Sequence, residues 1–276
     1  MTSVPCLLVK KGRSVPPPIK PMRYGILDLN TIEGNATLVN SELESKTLVL
    51  LAGGMASRLN SFLNSESHVK CLSEFSGRVF LDYLLAQANA AGIEQVIILG
   101  GPNREIIENA VRKLNYPMRF SFPEEKVRLG TGGALTLIAP YLQEKYFILS
   151  NADTYFSENP FELVKSQSMG NKDAVFYMRT FVHTSSFHEI SKQEAYAWPD
   201  LYQTPSYIYT GLSVLSSEIV RNWHSFDLPV FCSYEKDVFD KIKARAKFTA
   251  YPFDEIDFGT ESGFKHLQGT FKKAAV

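Results

Sequence analysis

Thr47–Leu59 reads TLVLLAGGMASRL, and the reading of this stretch decides the fold. Leu48–Leu51 is a short apolar run without polar alternation, which predicts a strand covered on both faces, as in a parallel sheet. The run empties into Gly53-Gly54, and Arg58 stands four residues past the second glycine. Glycines at a strand's carboxyl end let backbone N–H groups approach a ligand closely, and an arginine just beyond adds charge. Phosphate is held in this way without a dedicated side-chain cage. A tight turn with a surface arginine would read the same way, so the decision falls to the residues downstream.

Downstream, strand and helix alternate. Gly77–Ala91 carries Leu81, Leu84, Leu85 and Ala88 at helical spacing, with Gly92 placed to stop it. Val96–Leu99 predicts a second strand, Arg104–Leu114 a helix, and Met118–Phe122 a third strand. Gly132–Leu142 reads as helical despite Pro140, and Tyr146–Leu149 as a buried strand ending at Ser150-Asn151-Ala152-Asp153. Asn159-Pro160 predicts a cap and first turn for a helix through Ser166, and Ala174–Met178 returns to strand. Residues 179–206 read as a long excursion that could wall a pocket. Ile208–Leu215 resumes as strand across Gly211, Ser217–Trp223 and Tyr234–Ala244 as helices, Phe248–Tyr251 and Glu255–Phe258 as short strands, and Gly259-Thr260 opens a last helix. Repeated β-α-β units imply an α/β domain with a mostly parallel sheet and right-handed crossovers. In such sheets ligands bind beyond the carboxyl ends of the strands, where both Gly53-Gly54 and Asp153 fall.

Residues 1–46 have a different texture. Pro16-Pro17-Pro18 and Pro21 block regular structure, and Tyr24–Leu29 with Ala36–Val39 could pair around Glu33-Gly34-Asn35. This segment is expected to be an arm or appendage leading into a main domain at 47–270, with a tail at 271–276.

The chain has 276 residues, 45% apolar and 21% charged, with 29 Lys+Arg against 29 Asp+Glu. That balance recruits neither nucleic acid nor an anionic membrane surface, so local charge must do any ligand work. Cys6, Cys71 and Cys232 fit neither a disulfide framework nor a metal spacing, which predicts a reducing, cytoplasmic setting. Val4–Val9 is too short for a signal segment and no run reaches the length of a membrane span. His68, His183, His188, His224 and His266 show no zinc spacing, and no Gly-X-Ser-X-Gly elbow is present.

Two aspartates carry the chemical argument. Asp153 and Asp257 each end an apolar or aromatic segment. Such residues commonly shape turns, but two of them aimed into a glycine-lined anion cleft suggest Mg²⁺. That ion takes one or two carboxylates and fills its other positions with water and phosphate oxygens. Leu129-Gly130-Thr131-Gly132-Gly133-Ala134-Leu135 is a second glycine-rich turn opening a helix, where backbone could approach a base or phosphate. Neither glycine turn is a P-loop or a dinucleotide fingerprint.

Together, LAGGMASRL, Lys70, LGTGGAL, SNAD, the Glu235–Asp237 EKD and the Asp257–Thr260 DFGT resemble the sugar-1-phosphate nucleotidyltransferases, closest to the heptose- or mannose-1-phosphate guanylyltransferase branch. The resemblance covers roughly 47–270. It implies a glycosyltransferase-A-like, Rossmann-type core with a smaller sugar-side subregion. It also implies attack by a sugar-1-phosphate oxygen on the α-phosphorus of an NTP, GTP being favoured. Arg58, Lys70, Asp153 and Asp257 would be catalytic, the two aspartates holding Mg²⁺. Leu51, Ala52, Gly53, Gly54 and Ser57, with Gly130, Thr131, Gly132 and Gly133, would bind the nucleotide. Asn151, Gly211, Glu235 and Lys236 would bind the sugar phosphate. NTP and sugar 1-phosphate are the implied partners, and a homo-oligomer is left open. The chain departs from the family pattern at Ala56, Ser57, Val69 and Ala152. A Cβ at position 56 could obstruct a triphosphate, and Ala152 stands where glycine is common. These departures motivate a second hypothesis, a catalytically silent nucleotide- or sugar-nucleotide-binding regulator. A glycosyltransferase on the same core is weaker, because no Asp-X-Asp stands around Asp153.

Overall fold

The computed structural model describes residues 45–54, 69–165, 167–181, 206–251 and 253–274. Strand β1, Thr47–Leu51, lies at the middle of a seven-stranded sheet, and Leu48, Val49 and Leu50 have no solvent exposure. It pairs in parallel with β4 (Gln95–Leu99) on one side and β6 (Tyr146–Asn151) on the other. Beyond β4 lies β5 (Arg119–Ser121), also parallel. Beyond β6 comes β9 (Ser206–Ser216), the antiparallel member, followed by β8 (Ala174–Phe181) and β10 (Ala246–Ala250), which are parallel to each other. The strand order is therefore β10-β8-β9-β6-β1-β4-β5.

Side chains that alternate along these strands feed two cores. Leu48, Leu50, Val96, Ile98, Ile148 and Val175 point to one face. There they meet α1 (Phe80–Ala90), α2 (Arg104–Arg112), α4 (Pro160–Lys165) and α7 (Glu261–Ala274). Val49, Ile97, Phe147, Leu149 and Phe176 point the other way, onto Leu135 and Ile138, α5 (Ser217–Arg221) and α6 (Phe239–Ile242). Coverage on both sides is why these strands read as unbroken apolar runs.

Two small antiparallel pairs complete the architecture. One is β2 (Glu74–Phe75) with β3 (Arg78–Val79), joined through Ser76 and Gly77, both at positive φ. The helix expected from Gly77 therefore begins only at Phe80. The other joins β7 (Thr154–Phe156) to β11 (Glu255–Asp257), setting Thr154 opposite Asp257. Phe75 ties the first pair to the C-terminal helix, its ring centroid 5.3 Å from that of Phe258, 5.0 Å from Phe264 and 5.7 Å from Phe271. The tail expected from residue 271 is in fact the end of α7, and Phe271 is buried.

The predicted helix Gly132–Leu142 is a single α-turn, α3 (Gly130–Gly133), running into a tighter 3₁₀ segment, Ala134–Tyr141, which contains Pro140. Tyr234–Ala244 is likewise composite, opening on a wide π-type turn at Tyr234–Val238 before α6. The Asn159 cap forms as predicted, its side-chain oxygen accepting from the Phe161 N–H at 3.1 Å. Among the described residues no helix is long and apolar enough to cross a membrane, and Cys71 and Cys232 are free and buried. The proposed strand pair at 24–39, Cys6 and most of the 179–206 excursion lie outside the described residues.

Candidate active site

Three charged side chains converge where β6 and β11 end. Asp153 follows β6 by two residues and Asp257 closes β11. Antiparallel pairing of β7 with β11 brings them together, aided by the Phe258 N–H donating to the Asp153 carbonyl at 3.2 Å. Lys70, at the start of a 3₁₀ turn after the first glycine loop, places Nζ 2.9 Å from Asp153 Oδ2. Asp257 Oδ1 accepts from the Gly259 N–H at 2.7 Å.

Gly259 shows how closely they meet. A Cβ on that residue would stand 2.8 Å from Lys70 Nζ, 3.0 Å from Asp257 Oδ1 and 3.4 Å from Asp153 Oδ2. The missing side chain leaves a small cradle bounded by two carboxylate oxygens and an ammonium. Among the described residues no group of three or more His, Cys, Asp and Glu could form an all-protein metal cage. Two carboxylates and a cradle open to other oxygens fit a hard divalent ion that shares its shell with phosphate. Beneath them Cys71 is buried, and its thiol is pushed up to about 12, chiefly by burial and further by the Asp153 charge. It stays protonated and offers no nucleophile.

The glycines after β1 divide their roles. Gly53 is pressed against the chain after β4, where a Cβ would come within 3.0 Å of the Gly101 nitrogen. Among the described residues, nothing lies within 4 Å of a Cβ position on Gly54. Ala52 is fixed by its N–H donating to the Leu99 carbonyl at 2.9 Å. Ala152 donates to the Leu51 carbonyl at 3.1 Å and is buried in the core, so its methyl group does not protrude into the cleft. Arg58, Ser57 and Ala56 lie outside the described residues.

The second glycine turn differs from expectation. Gly132 and Gly133 donate their N–H groups to the Cys232 carbonyl, at 2.9 and 3.4 Å, and Cys232 N–H returns to the Leu129 carbonyl at 3.0 Å. A Cβ on Gly132 would stand 2.7 Å from Cys232 Sγ, and one on Gly133 would run into the Val230 carbonyl oxygen. These glycines are small because another segment of the chain packs on them, and their amides are taken up by the Cys232 carbonyl. The same packing puts Thr131 beside the EKD turn, where its hydroxyl accepts from Tyr234 N–H at 2.9 Å.

Asn151 ends β6 and lies against Gly211, whose φ of +80° permits a bulge in β9 opposite Tyr177. A Cβ there would meet Asn151 Nδ2 at 2.7 Å. Glu235 Oε2 accepts from Ser233 Oγ at 3.1 Å, and Lys236 follows it on an exposed turn. One residue escaped the sequence reading. Glu125 accepts from Leu129 N–H at 2.6 Å, and its other carboxylate oxygen would stand 3.1 Å from a Cβ on Gly101, so it lies between the LGTGG turn and the chain after β4. An acidic residue shortly before LGTGG was the available signal.

A family model described as the MobA-like NTP transferase domain matches residues 48–201. The chain belongs to that family. As a nucleotidyltransferase it is similar to the D-glycero-alpha-D-manno-heptose 1-phosphate guanylyltransferase of Campylobacter jejuni, 22% identical over 222 residues covering 79% of this chain and 97% of the relative. The enzyme of the same description from Aneurinibacillus thermoaerophilus is 30% identical over 108 residues, 39% of this chain and 46% of the relative. Among solved structures, HddC from Yersinia pseudotuberculosis superposes with a TM-score of 0.65 at 23% identity, covering 82% of this chain and 99% of that one. That protein has also been solved complexed with GMP-PN. A UDP-glucose pyrophosphorylase complexed with UDP-glucose gives a TM-score of 0.64 at 15% identity, covering 83% and 99%. These likenesses agree with the expected mostly parallel, Rossmann-like core of the nucleotidyltransferase.

Proposed function

We propose that this nucleotidyltransferase moves a nucleotidyl group from GTP to a hexose or heptose 1-phosphate, with Mg²⁺, giving an NDP-sugar and pyrophosphate. The observation that carries the reading is the meeting of Lys70, Asp153 and Asp257 around the empty side of Gly259. A sugar-phosphate oxygen forms a bond to the α-phosphorus as the α–β bridging bond breaks, and the electron pair leaves with pyrophosphate. The nucleophile is already anionic, so no proton need be removed. Charge repulsion is the obstacle, and positioned cations remove it. Asp153 and Asp257 would hold Mg²⁺, which when bound supplies charge neutralisation at the reacting phosphates. Lys70, whose ammonium pairs with Asp153, lies within reach of an entering phosphate. Arg58 and the Gly53-Gly54 turn are assigned the triphosphate from the family resemblance.

Guanine is supported by the two guanylyltransferase relatives. The regulatory alternative loses its second motive, because Ala152 is a core residue here. Pyrophosphate release with GTP, UTP, CTP, dTTP and ATP against a panel of sugar 1-phosphates tests the reading. We expect turnover with GTP, its loss with EDTA, and its loss in Asp257→Ala. Tight NTP binding without turnover on any panel member would reinstate the regulator.

A further inference from the structure

The nucleotide turn and the sugar turn share one hydroxyl. Thr131, in the middle of LGTGG, accepts from the Tyr234 N–H at 2.9 Å and directs its own proton toward Glu235 Oε2 at 3.4 Å. A threonine hydroxyl has a single donor, so its hydrogen is committed to the carboxylate. Ser233 Oγ reaches the same oxygen at 3.1 Å while accepting from the Lys236 N–H at 3.3 Å, and Asp237 holds the Ser233 N–H at 2.7 Å. Both hydroxyls thus grip Oε2, and among the described residues Oε1 receives no hydrogen bond. From below, Tyr234 is fixed by its own hydroxyl, 2.8 Å from Ser213 Oγ. These bonds link Tyr234, Ser233 and the Glu235 carboxylate into one hydrogen-bonded turn.

We infer that Thr131 is a positioning residue for Glu235, setting the carboxylate that receives the sugar hydroxyls, and not a contact to the nucleotide. The inference rests on the proposed sugar-1-phosphate reaction. Its geometry also separates it from a general loop effect. The glycine turn is anchored independently, by backbone bonds between Leu129, Gly132 and Cys232, and these do not involve the Thr131 side chain.

Steady-state kinetics on the full chain, with GTP and the best sugar 1-phosphate from the panel, tests this. Thr131→Val keeps the shape and removes the hydroxyl. The expected result is a rise of about tenfold in KM for the sugar phosphate, the effect of losing one such hydrogen bond, with KM for GTP within about twofold of wild type. Thr131→Ser should restore the sugar KM. In a Glu235→Ala background, Thr131→Val should leave the sugar KM where Glu235→Ala already put it, because the two act as one unit. A raised GTP KM with an unchanged sugar KM would overturn the inference, as would additive effects in the double variant. Failure of the underlying reaction looks different: wild type itself would turn over no sugar phosphate. Should Thr131→Val fold poorly, the comparison of Thr131→Ser with Thr131→Ala in thermal melts and sugar-phosphate binding by calorimetry reads the same distinction, equal affinities counting against it.

Discussion

At the scale of single residues, the site is governed by what Gly259 omits. Adding one methyl group there would place carbon against Lys70 Nζ and both aspartate oxygens, in the space the proposed mechanism assigns to a cation and phosphate oxygens. Gly259→Ala should lower kcat by about 10²-fold, the usual cost of misplacing reacting groups by an ångström, while the thermal midpoint moves little. Turnover and a melt on the same preparation check both halves. Cys71 provides a second residue-level test. Burial, with the Asp153 charge, pushes its thiol up to about 12, so near neutral pH the folded protein holds far less thiolate than the unfolded chain. Iodoacetamide should leave Cys71 unmodified in the native protein and label it in urea. The sign for stability follows, since a raised folded-state pKa contributes stability that is fully present below pH 9 and is lost as pH rises toward 12. Candidates chosen by residue type were legible in the sequence: Asp153, Asp257 and Lys70 were picked out there, and the structure brings these three together. What Gly132 and Gly133 do was not, because their neighbours, Cys232 and Val230, come from a hundred residues away in the chain and a small residue reads alike beside a ligand or a backbone.

At the scale of elements, local grammar succeeded where one turn decides the outcome. Asn159 capped its helix as read, and its Nδ2 also donates to the Gln87 carbonyl at 2.9 Å, fastening α4 to α1. Asn159→Ala removes both bonds and should destabilise the protein by about 1–2 kcal/mol, measured as a shift in urea midpoint with unchanged slope. The hairpin of β2 and β3 was missed although Ser76-Gly77 is a turn signal. The helical periodicity of Leu81, Leu84 and Leu85 outweighed it, and strands of two residues leave almost no pattern. Gly211 read as an interruption and proved to be a bulge. Its need for positive φ follows from the register change between β8 and β9, which no local window contains.

At the scale of the whole molecule, α7 belongs to the same core as the hairpin and α1. Phe75 contacts Phe80, Phe258, Phe264 and Phe271, gathering rings from α1, from α7 and from the loop that carries DFGT. Phe75→Ala should cost about 3–5 kcal/mol, the range for deleting a buried phenyl ring. It should also reduce activity of the surviving folded fraction, since Phe258 adjoins Asp257. Calorimetric unfolding and specific activity per folded molecule separate the two effects. The sequence alternation was enough to predict the α/β class, but this aromatic cluster links residues nearly two hundred positions apart and has no local signature.

The pairing of β7 with β11 has a temporal consequence. Its two strands are separated by about a hundred residues of intervening chain, including β8, β9 and β10. A nascent polypeptide halted before residue 257 can already possess β1, β6 and both glycine turns, yet it has only one of the two acids. Under the proposed mechanism, catalytic competence would therefore arrive abruptly during synthesis and not by degrees, because a partly translated chain lacks one of the two acids assigned to the metal.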